Sequence, residues 1–282
     1  MAEPHLHVHP PAQAADAPPS TQPAASDRQP LLSLRDITFA YDAEPILDRV
    51  SLDIGRRDFL AVIGPNGGGK TTLLKVMLGL LQPRAGRVER FLGGDGASGV
   101  RAGALGYVPQ FATFDRDFPL RVREVVQMGR LGVRGAFRRY TSADRIAVAA
   151  ALAKLGLAPI AEHPVGRLSG GQLQRTLIAR ALVGEPEVLL LDEPLASVDA
   201  EFRDKLVDTL RELHATMPIV VVTHDLTPFA GVVRQIACMN RRLHYHPEGR
   251  LTPEMLEEVY GCPVELITHG VPHRVLGHHA HE

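Results

Sequence analysis

The sequence contains two cysteines, Cys238 and Cys262, among its 282 residues. Two cysteines are too few for a disulfide framework, so a reducing compartment fits this chain. The formal net charge is −1, which gives no bulk electrostatic case for nucleic acid as the main partner. We find no apolar run long enough to span a bilayer and no basic start followed by an apolar stretch. If the protein works at a membrane, we therefore expect a peripheral partner of separate membrane chains.

The two ends of the chain differ in composition from its middle. Residues 1–30 are rich in Pro and Ala and show no apolar periodicity, so we predict that they are disordered. One ordered domain is expected over residues 31–246, and the 45% hydrophobic content suits a domain of this size. Residues 247–282 form a histidine-containing C-terminal extension, in which 253–260 has a helical pattern.

Within this domain, short apolar runs alternate with helical patterns. The predicted strands are 34–41, 50–54, 59–63, 103–108, 188–191 and 219–223. The predicted helices are 70–81, 121–130, 142–155, 170–183 and 200–215. Because buried apolar strands alternate with helices, the pattern indicates an α/β domain with a parallel sheet.

A glycine-rich turn lies between a predicted strand and a predicted helix. Residues 64–71 read Gly-Pro-Asn-Gly-Gly-Gly-Lys-Thr and fit G-x-x-x-x-G-K-[ST] in the context that this motif requires. Glycines let backbone N–H groups surround phosphate oxygens, and the helix N-terminus favours an anion. We expect Lys70 to reach the β and γ phosphates and Thr71 to place its hydroxyl on Mg²⁺. The candidate ATP-binding residues of this loop are Gly64, Pro65, Asn66, Gly67, Gly68, Gly69, Lys70, Thr71 and Thr72.

Two acidic residues follow the apolar strand predicted at 188–191. A strand that ends in Asp192 and Glu193 presents both carboxylates at the carboxyl edge of a sheet. In isolation such acids are often solvated strand ends, but a phosphate loop in the same chain favours a catalytic interpretation. Asp192 is then predicted to hold Mg²⁺, directly or through water, and Glu193 to polarise the attacking water as general base.

A third motif, Leu168-Ser169-Gly170-Gly171-Gln172, separates one family from other phosphate-loop proteins. Ser169 can cap the helix that follows, and the glycines allow an anion to approach that helix end closely. With this signature the chain closely resembles the ABC ATPases, over residues 34 to about 240.

The resemblance implies an α/β fold with three parts. They are a P-loop ATPase core with a mostly parallel sheet, an antiparallel β subdomain, and a helical insert at about 112–165. It also implies that the signature touches the γ-phosphate held by the opposite subunit, and that it lies away from the phosphate loop of its own chain.

The resemblance assigns roles to four further residues. Tyr41 matches the aromatic that stacks on adenine, although a lone aromatic is more often part of a surface or core. Gln110 matches the glutamine that senses Mg²⁺ and water and couples to the membrane partner. Asp199, in Ser-Val-Asp, matches the residue that signals between subunits, where the family more often has Ala-Leu before the Asp. His224 matches the histidine that contacts the γ-phosphate, so the catalytic set is Glu193, His224 and Gln110.

Transport is favoured over two other uses of such an ATPase. Non-transport ABC ATPases carry coiled coils, zinc modules or two cassettes, and the segment between Gln110 and Ser169 is too short for a coiled coil. A P-loop kinase would lack the signature. A cassette on its own chain resembles bacterial importers, which implies a homodimer at the ATP sites, integral membrane permease subunits and an extracytoplasmic solute-binding protein. The expected location is peripheral, at the cytoplasmic face of the inner or plasma membrane.

Two features bear on the transported solute. Residues 117–130, with Phe137-Arg-Arg, resemble the branch that serves zinc, manganese or iron uptake. Ten of the 13 histidines lie toward the chain ends, and neutral imidazole binds Zn²⁺ well. They are His5, His7, His9, His244, His246, His269, His273, His278, His279 and His281. We therefore expect uptake of a divalent transition metal, zinc first and manganese second. The alternative is that disordered tails have simply drifted in composition.

Overall fold

The computed structural model describes residues 30–93, 103–110, 119–135, 138–196, 198 and 200–247. Several expectations fall outside these ranges, namely the N-terminal disorder, the helix at 253–260, Cys262, Phe137 and the start of the 117–130 stretch. Ser197 and Asp199 are also outside the described residues. The phosphate loop, Gln110, the signature, the acidic pair and His224 are all described.

Two β-sheets organise the domain. The strands of the larger sheet are β3 (Phe59–Ile63), β5 (Leu105–Val108), β6 (Val188–Asp192), β7 (Ile219–Val222), β8 (Gln235–Asn240) and β9 (Arg242–His246). Their order is β5-β6-β7-β3-β8-β9, and every pair is parallel except β8 with β9. The smaller sheet contains β1 (Leu32–Phe39), β2 (Leu47–Ile54) and β4 (Ala85–Arg90), antiparallel in the order β2-β1-β4. The predicted parallel core and antiparallel β subdomain are confirmed.

Alternating side chains of the larger sheet build two hydrophobic cores, one on each face. In β6, Leu189 and Leu191 enter one core and Val188 and Leu190 enter the other. The same alternation occurs along β3 and β7, and every residue of these three strands is buried. A strand that is covered on both faces is mostly apolar, which is why residues 59–63, 188–191 and 219–222 read as continuous apolar runs.

Helices cover both faces of the larger sheet. On the face with Leu190, α1 (Lys70–Leu78) packs together with the smaller sheet. The opposite face is covered by α2 (Val122–Met128), α4 (Ser142–Lys154), α5 (Gly170–Leu182) and α6 (Ala200–His214), and the short α3 (Leu131–Arg134) joins α2 to α4. The predicted helical insert is confirmed, and it contains α2, α3 and α4. Within the described part of the chain, every helix is too short or too polar to cross a bilayer.

Three strands are not predicted by the sequence pattern, and one predicted helix is too long. β4 and β9 lie at sheet edges and alternate weakly, since β4 buries none of its residues fully and β9 buries only Leu243. β8 has only four consecutive buried residues and is followed at once by a turn into β9. α1 ends at Leu78 because Gly79 closes it with a backbone hydrogen bond to Val76 O, so residues 79–81 are not helical.

Two histidines that we grouped with the chain ends belong instead to the larger sheet. His244 and His246 lie in β9, where His244 is opposite Cys238 and His246 is opposite Ile236. The other eight histidines of that group are outside the described ranges. Within those ranges, no cluster of three or more His, Cys, Asp or Glu side chains could hold a metal ion.

Burial on both faces makes a specific prediction for β6. Leu189 is completely buried, so Leu189→Ala should lower the free energy of unfolding by about 2–5 kcal/mol through lost contacts and a residual cavity. The matched change Leu80→Ala, at a side chain that is 65% exposed, should stay within about 0.5 kcal/mol of wild type. Urea denaturation measures both, and equal losses would contradict the assignment of Leu189 to the core.

Candidate functional site

The carboxyl ends of neighbouring parallel strands bring the predicted site residues together. The phosphate loop follows β3, Gln110 follows β5, and Asp192 ends β6. They surround a pocket of about 450 Å³ lined by Ile46, Asn66, Gly67, Gly69, Lys70, Thr71, Thr72, Gln110, Asp192, Glu193 and Val222. This volume is within the usual range for small-molecule sites.

Two residues of the pocket wall are not identified by the sequence motifs. Ile46 immediately precedes β2, and its backbone N–H donates to Phe39 O at 2.8 Å. No sequence signal marks it, because its position depends on how the smaller sheet meets the loop at Gly69. Val222 is the last residue of β7 and pairs with Asp192, so the parallel register could have indicated it.

The phosphate loop is held close to β8. A Cβ atom on Gly64 would lie 1.9 Å from Met239 O, so only glycine fits at this position. The Lys70 ammonium donates to Gly64 O at 2.8 Å and to Pro65 O at 2.9 Å. Burial lowers the pKa of Lys70, and the nearby Glu193 and Asp192 carboxylates oppose this shift. The cation is therefore fixed inside the loop, next to the acidic pair.

Asp192 has the features expected of a metal ligand. Its side chain is 1% exposed, and no group in the described chain forms a hydrogen bond with its Oδ1 atom. Burial raises the pKa of Asp192, while the Thr71 hydroxyl acts in the opposite direction. An oxygen of this kind, in a pocket that Thr71 and Gln110 also line, suits a hard divalent cation such as Mg²⁺. The residues that line this part of the pocket thus fit the metal that the motifs imply.

Glu193 and His224 form a pair at the edge of the pocket. Glu193 Oε2 is 2.9 Å from His224 Nδ1, and the glutamate is 8% exposed whereas the imidazole is 64% exposed. Glu193 has a left-handed backbone with φ 46°, and its N–H donates to Val222 O at 2.9 Å. A positive φ is uncommon for a residue other than glycine. The pair directs a buried carboxylate into the pocket and a histidine toward the surface.

The signature begins α5 and does not line this pocket. Gln172 N donates to Ser169 Oγ at 3.3 Å, and Ser169 N donates to Gln172 Oε1 at 3.0 Å, which forms a capping box. Ser169 and Gly170 are exposed, Gly171 is buried against Phe202, and Leu168 packs partly on the core. Since α5 and α1 cover opposite faces of the larger sheet, the signature and the phosphate loop begin helices on different faces of that sheet.

Four predicted ATP-binding residues do not line the pocket, namely Tyr41, Gly64, Pro65 and Gly68. Tyr41 is 54% exposed and meets Phe39 edge-on, with 4.9 Å between ring centroids. Gly64 and Pro65 contribute carbonyls to Lys70, and Gly68 N donates to Pro65 O within the loop. Tyr41 is thus available at the surface for a planar ligand.

Known proteins with similar sequences and structures were then compared with this chain. A sequence model of the ABC transporter family matches residues 47–196. A Chlamydia trachomatis protein described as a probable metal transport system ATP-binding protein is 41% identical over 212 residues, which cover 74% of this chain and 88% of that protein. The Bacillus subtilis high-affinity zinc uptake system ATP-binding protein ZnuC is 40% identical over 198 residues, covering 69% and 84%. A solved metal-chelate type ABC transporter in an inward-facing conformation contains a chain with a TM-score of 0.73 and 31% identity, covering 83% and 90%.

The family match spans more than half of the chain and includes the phosphate loop, Gln110, the signature and the acidic pair. The alignments with the two relatives cover most of each relative's length. The chain therefore belongs to the ABC transporter family and is an ATPase.

Proposed function

We propose that this chain is the ATP-hydrolysing subunit of an importer for a divalent transition metal, with zinc ahead of manganese. The observation that carries the ATPase part is the pocket in which the phosphate loop, Asp192 and Glu193 meet. The metal part is supported by relatives named for metal transport and for zinc uptake. The ATPase itself does not touch the transported ion, so its own site carries no information about which metal is moved.

Nucleotide binding follows from the loop. The backbone N–H groups of the loop and the start of α1 would surround the phosphates, and Lys70 would turn from the carbonyls of Gly64 and Pro65 to the β and γ phosphates. Thr71, Asp192 and Gln110 would hold Mg²⁺. When bound, Mg²⁺ neutralises phosphate charge that develops during the reaction.

Hydrolysis requires a base next to the γ-phosphate. Glu193 is suited to this role because its carboxylate lines the pocket and is fixed by its backbone and by His224. It would accept a proton from the attacking water. His224 would orient Glu193 and, through its exposed imidazole, contact the γ-phosphate.

The composite site requires a second copy of the chain. The exposed Ser169 and Gly170 lie at a helix N-terminus, which favours an anion, but they do not line the pocket of their own chain. A two-fold dimer would place each signature against the γ-phosphate of the partner, so that each chain gives and receives the same contacts. Permease subunits, reached through Gln110, and an extracytoplasmic solute-binding protein would complete the importer at the cytoplasmic face of the membrane.

The role of Glu193 can be tested by removing the base while keeping its shape. Glu193→Gln should bind ATP normally but hydrolyse it roughly 10²-fold or more slowly, since the amide cannot accept a proton from water. Nucleotide binding and phosphate release measure the two effects separately. Glu212→Gln, at an exposed position on α6, provides a control that should behave like wild type. Unchanged turnover in Glu193→Gln would exclude Glu193 as the base.

Composite sites can be tested by mixing two inactive variants. Lys70→Ala damages the phosphate loop and Ser169→Ala damages the signature, so either homodimer has two defective sites. A mixed dimer has one intact site, and steady-state ATPase assays should therefore recover part of the lost activity. Mixing Lys70→Ala with the Lys70→Ala/Ser169→Ala double variant leaves no intact site and serves as the control. If verified mixed dimers stay as inactive as this control, the sites do not form between chains.

The transported metal can be tested by uptake in cells. A strain that lacks this chain should lose uptake of radioactive zinc, regain it with the wild-type chain and fail to regain it with Glu193→Gln. Loss of manganese uptake alone would favour the second-ranked ion. Normal uptake of both metals, together with failure on another solute, would refute the metal assignment.

A further inference from the structure

A buried arginine just after α2 joins four segments of the chain. Arg130 is 8% exposed, and its Nε is 2.9 Å from Asp144 Oδ1 at the start of α4. Its Nη1 donates to Val183 O at 2.9 Å, at the end of α5, and to Glu185 Oε1 at 3.0 Å, in the turn that leads into β6. One guanidinium therefore connects the helical insert, the signature helix and the strand that carries the acidic pair.

The acidic partner of this arginine is itself strongly held. Asp144 is completely buried and also lies 2.9 Å from Arg134 Nε, while Thr141 N donates to its Oδ2 at 2.8 Å. The Thr141 backbone N–H, aided by Arg134 and Arg130, holds the pKa of Asp144 well below its usual range. A buried carboxylate with this many donors stays charged and fixed, so it gives Arg130 a rigid anchor.

The chain just before Arg130 packs directly on the signature helix. A Cβ atom on Gly129 would lie 2.0 Å from Arg180 O and 2.6 Å from Val183 Cγ1, so α2 and α5 approach each other with no room for a side chain. Gly129 and Arg130 are the last residues of the 117–130 stretch that we associated with metal transporters. In the structure these two residues connect α2 to α4 and α5, and this structural role does not depend on the transported ion.

We propose that Arg130 is a positioning residue, which sets the orientation of the signature relative to β6. It holds the C-terminal end of α5, whose N-terminal end carries Ser169 about 20 Å away along a 13-residue helix. A small rotation at the held end becomes a larger displacement at Ser169. The inference rests on the proposed function, in which the signature acts on nucleotide bound by a partner chain.

The test uses Arg130→Lys, which keeps the positive charge but removes the planar guanidinium. A lysine ammonium is a single point of charge and cannot reach Asp144, Val183 O and Glu185 together as the planar guanidinium does. Arg130→Lys should leave ATP affinity of the full-length chain within about twofold, since Arg130 does not line the pocket. It should lower the rate of ATP hydrolysis by roughly tenfold. In a Glu193→Gln background, it should also weaken ATP-dependent dimerisation, measured by light scattering, by roughly tenfold.

Two further variants keep the test decisive. Arg121→Lys alters an exposed arginine near α2 that pairs with Glu162, and it should match wild type in every assay. Glu185→Gln removes the charge of one partner of Arg130. The Glu185 side chain is 73% exposed, so this variant should fold even if Arg130→Lys does not. It should weaken dimerisation by about two- to threefold with unchanged ATP affinity.

Each outcome bears on the proposal. Normal dimerisation and turnover in Arg130→Lys would overturn it, and so would a parallel loss of ATP affinity, which indicates general damage. If Arg130→Lys fails to fold, unchanged dimerisation in Glu185→Gln overturns it instead. Ser169→Ala distinguishes failure of the proposed function from failure of the Arg130 proposal. Normal dimerisation and hydrolysis in that variant would exclude the proposed role of the signature itself.

Discussion

The active pocket depends on the parallel pairing of β3, β5, β6 and β7. Parallel strands end at the same edge of a sheet, so whatever follows each strand is brought to one place. The pairs Val108 with Leu191 and Asp192 with Val222 set how far each strand extends. The phosphate loop, Gln110, the acidic pair and His224 thus meet although they are far apart in the chain. A change of register would separate these groups without altering a single motif.

The same arrangement creates the electrostatic character of the pocket. Lys70 and Asp192 are buried, which disfavours the charged form of each, and they compensate one another only in part. Asp192 Oδ1 is left without a hydrogen bond from the described chain, and Lys70 donates to two loop carbonyls. In the proposed complex, a nucleotide with its cation would supply the opposite charge to both groups. The pocket therefore suits a charged ligand, because folding has already removed Lys70 and Asp192 from water.

The two-faced construction of the larger sheet supports the proposal that the active ATPase contains two chains. α1 and the smaller sheet occupy one face, whereas α5 and the helical insert occupy the other. The phosphate loop and the signature therefore begin helices on opposite faces of the sheet, which supports the proposal that a second chain brings them together. In the proposed dimer, the angle at which α5 leaves the core would matter for catalysis. The buried contacts of Arg130 and Gly129 lie at the C-terminal end of that helix.

The sequence by itself determined the elements whose signal is local. The continuous apolar runs of β3, β6 and β7, the glycine loop and the capping serine at Ser169 all follow from neighbouring residues, and each occurs where the pattern indicated. Tertiary structure decided the rest. β4 and β9 form because an edge of a sheet offers hydrogen bonds to a segment with little apolar pattern, and β9 contains His244 and His246. The pocket residue Ile46, the Glu193–His224 pair and the contacts of Arg130 join residues that are distant in the chain. Such contacts depend on packing and register, which no local pattern encodes.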